Sequence, residues 1–202
     1  MKNVEVWNIL DLVKHYGEDK VAEVLSHFSC EMDRNGTPVP LSDDIERFIK
    51  KNAVAFAQKK LSVTYLVGDM DDGQILGFFT LTHKPVSFPA EGLSRTVQRT
   101  MERYAALNPA TNAYLVSGFL IAQLGKNYAV ENGNRISGAT LLGLAERELM
   151  ELQYRVGGGI EYLDCEANAS LIRFYESQGF RLFGERVSDT DGRYYLQYMK
   201  FF

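Results

Sequence analysis

Helical and strand-like spacings of apolar residues alternate along this chain, separated by Gly, Pro, Asn and Asp. Leu10 and Val13, then Val21, Val24, Leu25 and Phe28, give two short amphipathic helices over Asn8–Tyr16 and Glu18–Phe28, broken at Gly17. Asn35-Gly36, Pro38 and Pro40 mark a loop. Ser42 reads as an N-cap with Asp43 and Asp44 in the first turn, and Ile45, Phe48, Ile49, Ala53 and Phe56 continue a helix that closes at Lys59 and Lys60. Ser62–Gly68 and Gln74–Thr82 alternate as strands around the turn Asp71-Asp72-Gly73, which predicts a hairpin with a bulge at Gly77. Pro85 and Pro89 are expected to end it, and Leu93–Leu107 to form a helix with Leu93, Val97, Met101 and Tyr104 inward.

Tyr114–Leu124 is the most apolar run, so it is expected at the centre of the sheet, with Ser117 and Gly118 where a bulge or close approach could occur. A loop rich in Asn and Gly follows. The stretch Asn134–Leu142 then switches to helical spacing, with Leu141, Leu142, Ala145, Leu149 and Leu152 on one side as far as about Tyr154. Gly157-Gly158-Gly159 stops that helix. Ile160–Cys165 is a strand, and Asn168 opens a short helix carrying Leu171, Ile172, Phe174 and Tyr175, capped by Gly179. Phe180–Val187 and Arg193–Phe201 are the last strands, joined through Asp191-Gly192. The order predicts an α/β fold: a mixed, mostly antiparallel central sheet with one right-handed parallel β-α-β unit and helices on both faces. One domain over residues 1–202 is expected, with a helical part at 1–61 and the sheet at 62–202.

Composition narrows this. An apolar share of 46% supports a real core. Lys and Arg total 22 against 26 Asp and Glu, a net charge of −4, which gives no overall attraction to nucleic acid. No run approaches membrane-spanning length, and the first residues have no leader pattern, so a cytoplasmic location is expected. Cys30 and Cys165 fit no zinc spacing, and His15, His27 and His83 form no ligand pair, so no metal site is expected. Arg95, Arg99 and Arg103 recur every four residues, which suits either an exposed helix face or a phosphate-binding row.

The candidate chemistry lies at the strand-to-helix turn. The amides of Arg135, Ile136, Ser137, Gly138, Ala139 and Thr140 point out of a helix start, at the positive end of its dipole, and Gly138 permits close approach. Such a turn attracts an anion, most naturally a phosphate. A tight turn alone would look the same.

Two segments carry a resemblance. Arg135-Ile136-Ser137-Gly138-Ala139-Thr140 resembles the Q/R-x-x-G-x-G/A motif of the GNAT N-acetyltransferases, and Asn168 through Tyr175 to Gly179-Phe180 resembles that family's N-x-x-A-x-x-x-Y-x-x-x-G-F segment. The match covers about Ser62 to Phe202. Thr140 stands where the motif has Gly or Ala, Leu171 where it has Ala, and the loop between Leu124 and Arg135 is several residues longer than usual.

The resemblance implies an acetyl-CoA:amine N-acetyltransferase acting by direct attack of the amine in a ternary complex. It implies that the amides of residues 135–140, with the Arg135 side chain, hold the pyrophosphate. The backbone of Leu124, Gly125 and Lys126 would pair with the pantetheine arm, Asn168 would hydrogen-bond that arm, and Tyr175 would protonate the leaving thiolate. Asn168 also reads as a helix N-cap, and Tyr175 also as packing under the last strands. The general base is open among Glu31, Asp164, Glu166 and a water chain; Gln123 cannot serve, and Cys165 reads as core. The acceptor would meet the N-terminal helices and Lys84–Asn112. A small-molecule or peptide amine is the expected acceptor, nucleic acid is disfavoured by charge, and a homodimer is common in the family. Two alternatives stay open: a toxin-type member that acetylates aminoacyl-tRNA, and a degenerate member that binds acetyl-CoA or a partner without turnover.

Overall fold

A computed structural model describes residues 3–30, 44–131, 135–188 and 192–202. The elements in chain order are β1 (Val4–Asn8), α1 (Ile9–Tyr16), α2 (Glu18–Ser26), α3 (Asp44–Lys51), α4 (Ala53–Gln58), β2 (Val63–Asp69) and β3 (Ile75–Pro89). Then follow α5 (Arg95–Met101), β4 (Leu107–Asn108), β5 (Ala113–Lys126), α6 (Gly138–Val156), β6 (Ile160–Glu166), α7 (Ala169–Ser177), β7 (Arg181–Val187) and β8 (Tyr194–Phe201). The strands pair in the order β1-β2-β3-β5-β6-β8-β7, with β4 beside β5. β5 and β6 are parallel, through Phe119↔Glu161 and Leu120↔Tyr162, as expected of the β-α-β unit. The mixed, mostly antiparallel sheet and the central place of β5 agree with the sequence pattern.

The chain divides into two compact units, residues 1–82 with 121–148, and residues 83–120 with 149–202. In the first, Ile9, Val21, Leu25, Phe28, Ile49, Ala53, Ala57, Leu66 and Phe78 form a buried core. Ile49, Ala53 and Ala57 lie four apart, so α3 and α4 bury one stripe across the irregular residue Asn52. In the second, Phe88, Met101, Tyr114, Ile160, Tyr162 and Met199 pack together.

Several expectations shift. The first residues are not wholly helical: Val4-Glu5-Val6-Trp7 forms an edge strand antiparallel to β2, an alternation too short to separate from chance in sequence. The helix expected over residues 43–60 is two, meeting at Asn52. β3 is not stopped by its prolines. Its pairing with β2 ends at Leu81, so Pro85 and Pro89 lie where that edge needs no N–H donor. The helix expected to Leu107 ends at Met101, because Leu107 and Asn108 pair with Tyr114 and Ala113 instead. The bulge near Gly77 is present: Val67 faces Gly77 while Gly68 faces Ile75, leaving Leu76 extra. The loop residues Asn35, Gly36, Pro38 and Pro40, the cap Ser42 with Asp43, the base candidate Glu31, the start of the turn at Asn134 and Asp191 lie outside the described residues.

Candidate active site

In the first unit, β5 ends at Lys126 and the chain is at once tied down. Asn127 is the tie. Its N–H donates to the Leu76 carbonyl (2.9 Å) and its side-chain amide to the Ile75 carbonyl (2.8 Å). Its Oδ1 accepts from the amides of Ser29 and Ala129 (3.1 Å each). The Tyr128 amide donates to the Ser29 carbonyl (2.6 Å). One buried amide side chain thus holds three backbone segments, which the sequence shows only as another Asn in a loop.

Arg135 holds the same loop from its other end. Its Nε donates to the Val130 carbonyl (3.0 Å), one guanidinium NH2 to the Tyr128 carbonyl (3.1 Å), and the group lies 5.3 Å from the Tyr128 ring centre. The ammonium of Lys126 lies 4.9 Å from the same ring. In this arrangement the Arg135 side chain organises the loop instead of reaching outward.

α6 then starts on a cap. Ser137 Oγ accepts the Thr140 amide (3.0 Å), its carbonyl accepts the Leu141 amide (3.0 Å), and its hydroxyl meets the Thr140 hydroxyl at 2.7 Å. Thr140 therefore folds back on Ser137, and its amide is already satisfied. The helix geometry leaves the amides of Gly138 and Ala139 with no acceptor inside the helix. Ile136 is 6% exposed and anchors the turn, while Ser137, Ala139 and Thr140 are exposed and Gly138 half-buried. Two outward amides on small residues at a dipole's positive end fit a phosphate oxygen.

At the end of β5, Leu124 and Lys126 are half-buried and Gly125 is buried. A Cβ on Gly125 would fall 2.5 Å from the Phe78 ring, and one on Gly77 would fall 3.0 Å from the Gly125 carbonyl oxygen. Those two glycines let β3 and β5 close on each other here. A cavity of about 1260 Å³ also lies in this unit, walled by β1, α1, α2 and the 127–131 loop. Its polar lining mixes Asp11, Glu23 and Glu131 with His15, Lys20 and His27.

The second unit carries Asn168 and Tyr175. Asn168 is the N-cap of α7: its Oδ1 accepts the Ser170 amide (2.8 Å), and its side chain is exposed. It borders a cleft of about 360 Å³ lined by Glu166, Ala167, Arg193 and Tyr194. Two turns along, Tyr175 packs between Phe174, Phe180 and Tyr198. Gly179, with φ of 87°, lets the chain reverse so that the Phe180 amide donates back to the Tyr175 carbonyl (3.1 Å). Burial first, and then the Cys165 sulfur, push the Tyr175 hydroxyl well above its ordinary value of 10.0, so it stays a proton donor at any physiological pH.

Of the candidate bases, the two that lie among the described residues, Asp164 and Glu166, each face an arginine. Asp164 accepts from Arg186 Nε at 2.7 Å and from Gln197 at 3.0 Å. Glu166 is exposed and lies 3.4 Å from Arg193. Cys165 is buried, and burial with the neighbouring Asp164 and Glu166 raises its thiol to about 11, so it is no thiolate at neutral pH. Among the described residues there is no group of three His, Cys, Asp or Glu that could hold a metal.

No protein-family model matches the sequence, and no curated protein matches it. Solved structures do. A bacterial toxin superposes with a TM-score of 0.64 at 15% identity, covering 100% of this chain and 92% of that one. AtaT complexed with acetyl-methionyl-tRNAfMet gives 0.62 at 14% identity, covering 96% and 94%. AtaTR bound with AcCoA gives 0.56 at 14% identity, covering 98% and 92%. The chain has the GNAT fold. The likeness spans the N-terminal helices as well, which neither GNAT motif reaches. Among the described residues no helix is long and apolar enough to cross a membrane.

Proposed function

We propose that this chain is an acetyl-CoA-dependent N-acetyltransferase whose acceptor is the amino group of an aminoacyl-tRNA. The observation that carries the enzyme class is the capped start of α6, where the Gly138 and Ala139 amides face outward at a fixed helix terminus within a GNAT fold. In this reading those amides, with Ser137 and the dipole behind them, hold the pyrophosphate of acetyl-CoA. Ile136 fixes the turn from below, and Arg135 fixes the loop in front. The backbone of Leu124, Gly125 and Lys126 pairs with the pantetheine arm, and the free side-chain amide hydrogens of Asn168 hydrogen-bond it. Thr140 contributes through Ser137, since its own amide is taken. All 202 residues act as one acetyltransferase domain.

The chemistry asked of the side chains is small. The amine lone pair attacks the thioester carbonyl carbon, the carbon–sulfur bond breaks, and the sulfur takes the Tyr175 proton as it leaves. The proton lost by the amine passes to water, because Asp164 and Glu166 are engaged with arginines. Tyr175 recovers its proton from solvent.

The acceptor reading draws on AtaT, solved with acetyl-methionyl-tRNAfMet and alike over 96% of this chain. It takes the place of the small-molecule or peptide amine expected from the sequence; the net charge that counted against nucleic acid describes the whole chain and not a local surface. The test is transfer of labelled acetyl from acetyl-CoA to bulk charged tRNA, beside a panel of small amines and peptides. Label on the aminoacyl end, and little on the small amines, is expected. Efficient acetylation of a small amine with none on charged tRNA would overturn the acceptor. Acetyl-CoA binding without transfer to anything would overturn the enzyme.

A further inference from the structure

α5 and the turn after it carry a basic row that the proposed chemistry leaves unused. Residues along a helix are ~100° apart, so Arg95 and Arg99 fall on the side opposite Val97 and Met101. The structure agrees: Val97 and Met101 are buried in the second unit's core, and Arg95, Arg99 and Arg103 are exposed. The row is held rigidly. Ser94 Oγ caps α5 by accepting the Val97 amide (3.3 Å). Gln98 donates to the carbonyls of Ala90 and Leu93 (3.1 and 2.9 Å), and the Arg103 amide closes a further turn on Thr100 (3.2 Å).

None of the three arginines forms an ion pair with a described residue. Glu102 lies beside them and Glu91 precedes the helix, yet residues 83–120 hold four Lys and Arg against these two carboxylates, in a chain of net charge −4. Solvated cations four residues apart, ~6 Å along the axis, suit consecutive phosphates of a nucleic-acid backbone.

The row lies on one face of the second unit's sheet. Ile160, Tyr162 and Met199 pack with α5, whereas Cys165 and Tyr198, at alternate strand positions, lie on the Tyr175 side. From this geometry we infer that Arg95, Arg99 and Arg103 form the surface that grips the phosphate backbone of the RNA acceptor. The inference rests on the acceptor reading above and gives it an address: affinity for the RNA body comes from α5, on the face of the second unit's sheet away from Tyr175.

The experiment compares wild type with the triple variants Arg95→Ala/Arg99→Ala/Arg103→Ala and Arg95→Lys/Arg99→Lys/Arg103→Lys, and with Glu102→Gln. Binding of bulk tRNA is measured by fluorescence anisotropy across salt, and acetyl-CoA binding by calorimetry. The alanine triple should bind tRNA ~10-fold or more weaker, with a log–log salt slope shallower by ~2. Its KM for charged tRNA should rise with kcat and acetyl-CoA affinity unchanged. The lysine triple should recover most of the binding, and Glu102→Gln should tighten it. Unchanged tRNA affinity and slope in the alanine triple overturn the inference, even if wild type acetylates charged tRNA. Weakened binding confined to poly-glutamate, with tRNA unaffected, overturns it in favour of an acidic protein partner. If wild type transfers nothing to charged tRNA while the alanine triple still loses tRNA binding, the acceptor reading fails and the RNA surface stands.

Discussion

Tyr175 shows what one side chain can and cannot be asked to do. Its hydroxyl is pushed far up by burial, so at neutral pH it is protonated and open to the acid's role, never the base's. Tyr175→Phe removes the donor but keeps the ring against Phe180 and Tyr198. Turnover should fall ~100-fold or more, the usual worth of general acid catalysis, while acetyl-CoA affinity changes less than ~3-fold; steady-state rates beside calorimetry check both. Full activity in that variant would remove Tyr175 from the reaction. The same shift sets a pH dependence of stability. Below about pH 10 the tyrosine is neutral folded and unfolded alike, and its contribution is whole. Above that, the unfolded chain ionises first, so the melting temperature should drop as pH rises past about 10, with a smaller drop in Tyr175→Phe. Arg135 has a different task. Arg135→Ala frees two loop carbonyls and should weaken acetyl-CoA binding ~5- to 50-fold through loop disorder. Arg135→Lys should rescue little, because one ammonium cannot reproduce the planar fork.

At the scale of elements, the sequence is most readable where one period runs long. Leu141, Leu142, Ala145 and Leu149 announce α6 and are all buried. Asn168 and Gly179 bracket α7 as cap and reversal. It is least readable where pairing at a distance decides the outcome. Leu107 has the spacing to continue a helix, but Tyr114 claims it as a strand, and Pro85 looks like a stop although β3 is unpaired with β2 at that point. Within the candidate site the turn is legible because amide display needs only a small residue at a helix start. The supports are not: Asn127 and Ser137 act through carbonyls and amides that no spacing reveals. The approach of β3 to β5 gives a prediction at this scale. Gly125→Ala forces a methyl against Phe78, which is fully buried, and should cost about 1–3 kcal/mol in urea unfolding. A loss below ~0.5 kcal/mol would mean the strands yield easily there.

For the whole molecule, charge and fold carry different messages. A net charge of −4 argues against nucleic acid, yet the basic residues are not spread evenly, and three exposed arginines follow one another along α5 and its closing turn. A sum over the chain hides such a patch, since screening limits each charge to about 8 Å in physiological salt. The fold class, by contrast, is written in the alternation of helical and strand periods, although β1, β4 and the full length of β3 are not. The two short motifs, Arg135–Thr140 and Asn168–Phe180, carry the likeness to acetyltransferases in the sequence itself.

The proposed chemistry depends on the anion turn, so the most direct measurement is calorimetric titration of acetyl-CoA into wild type and Gly138→Glu, with melting curves on both. Wild type should bind one equivalent. The variant, its amides blocked and a carboxylate facing the phosphates, should bind ~100-fold weaker or not at all while melting within a few degrees of wild type. Equal affinity in a folded variant, or no binding by wild type, would contradict the assignment of this turn to acetyl-CoA.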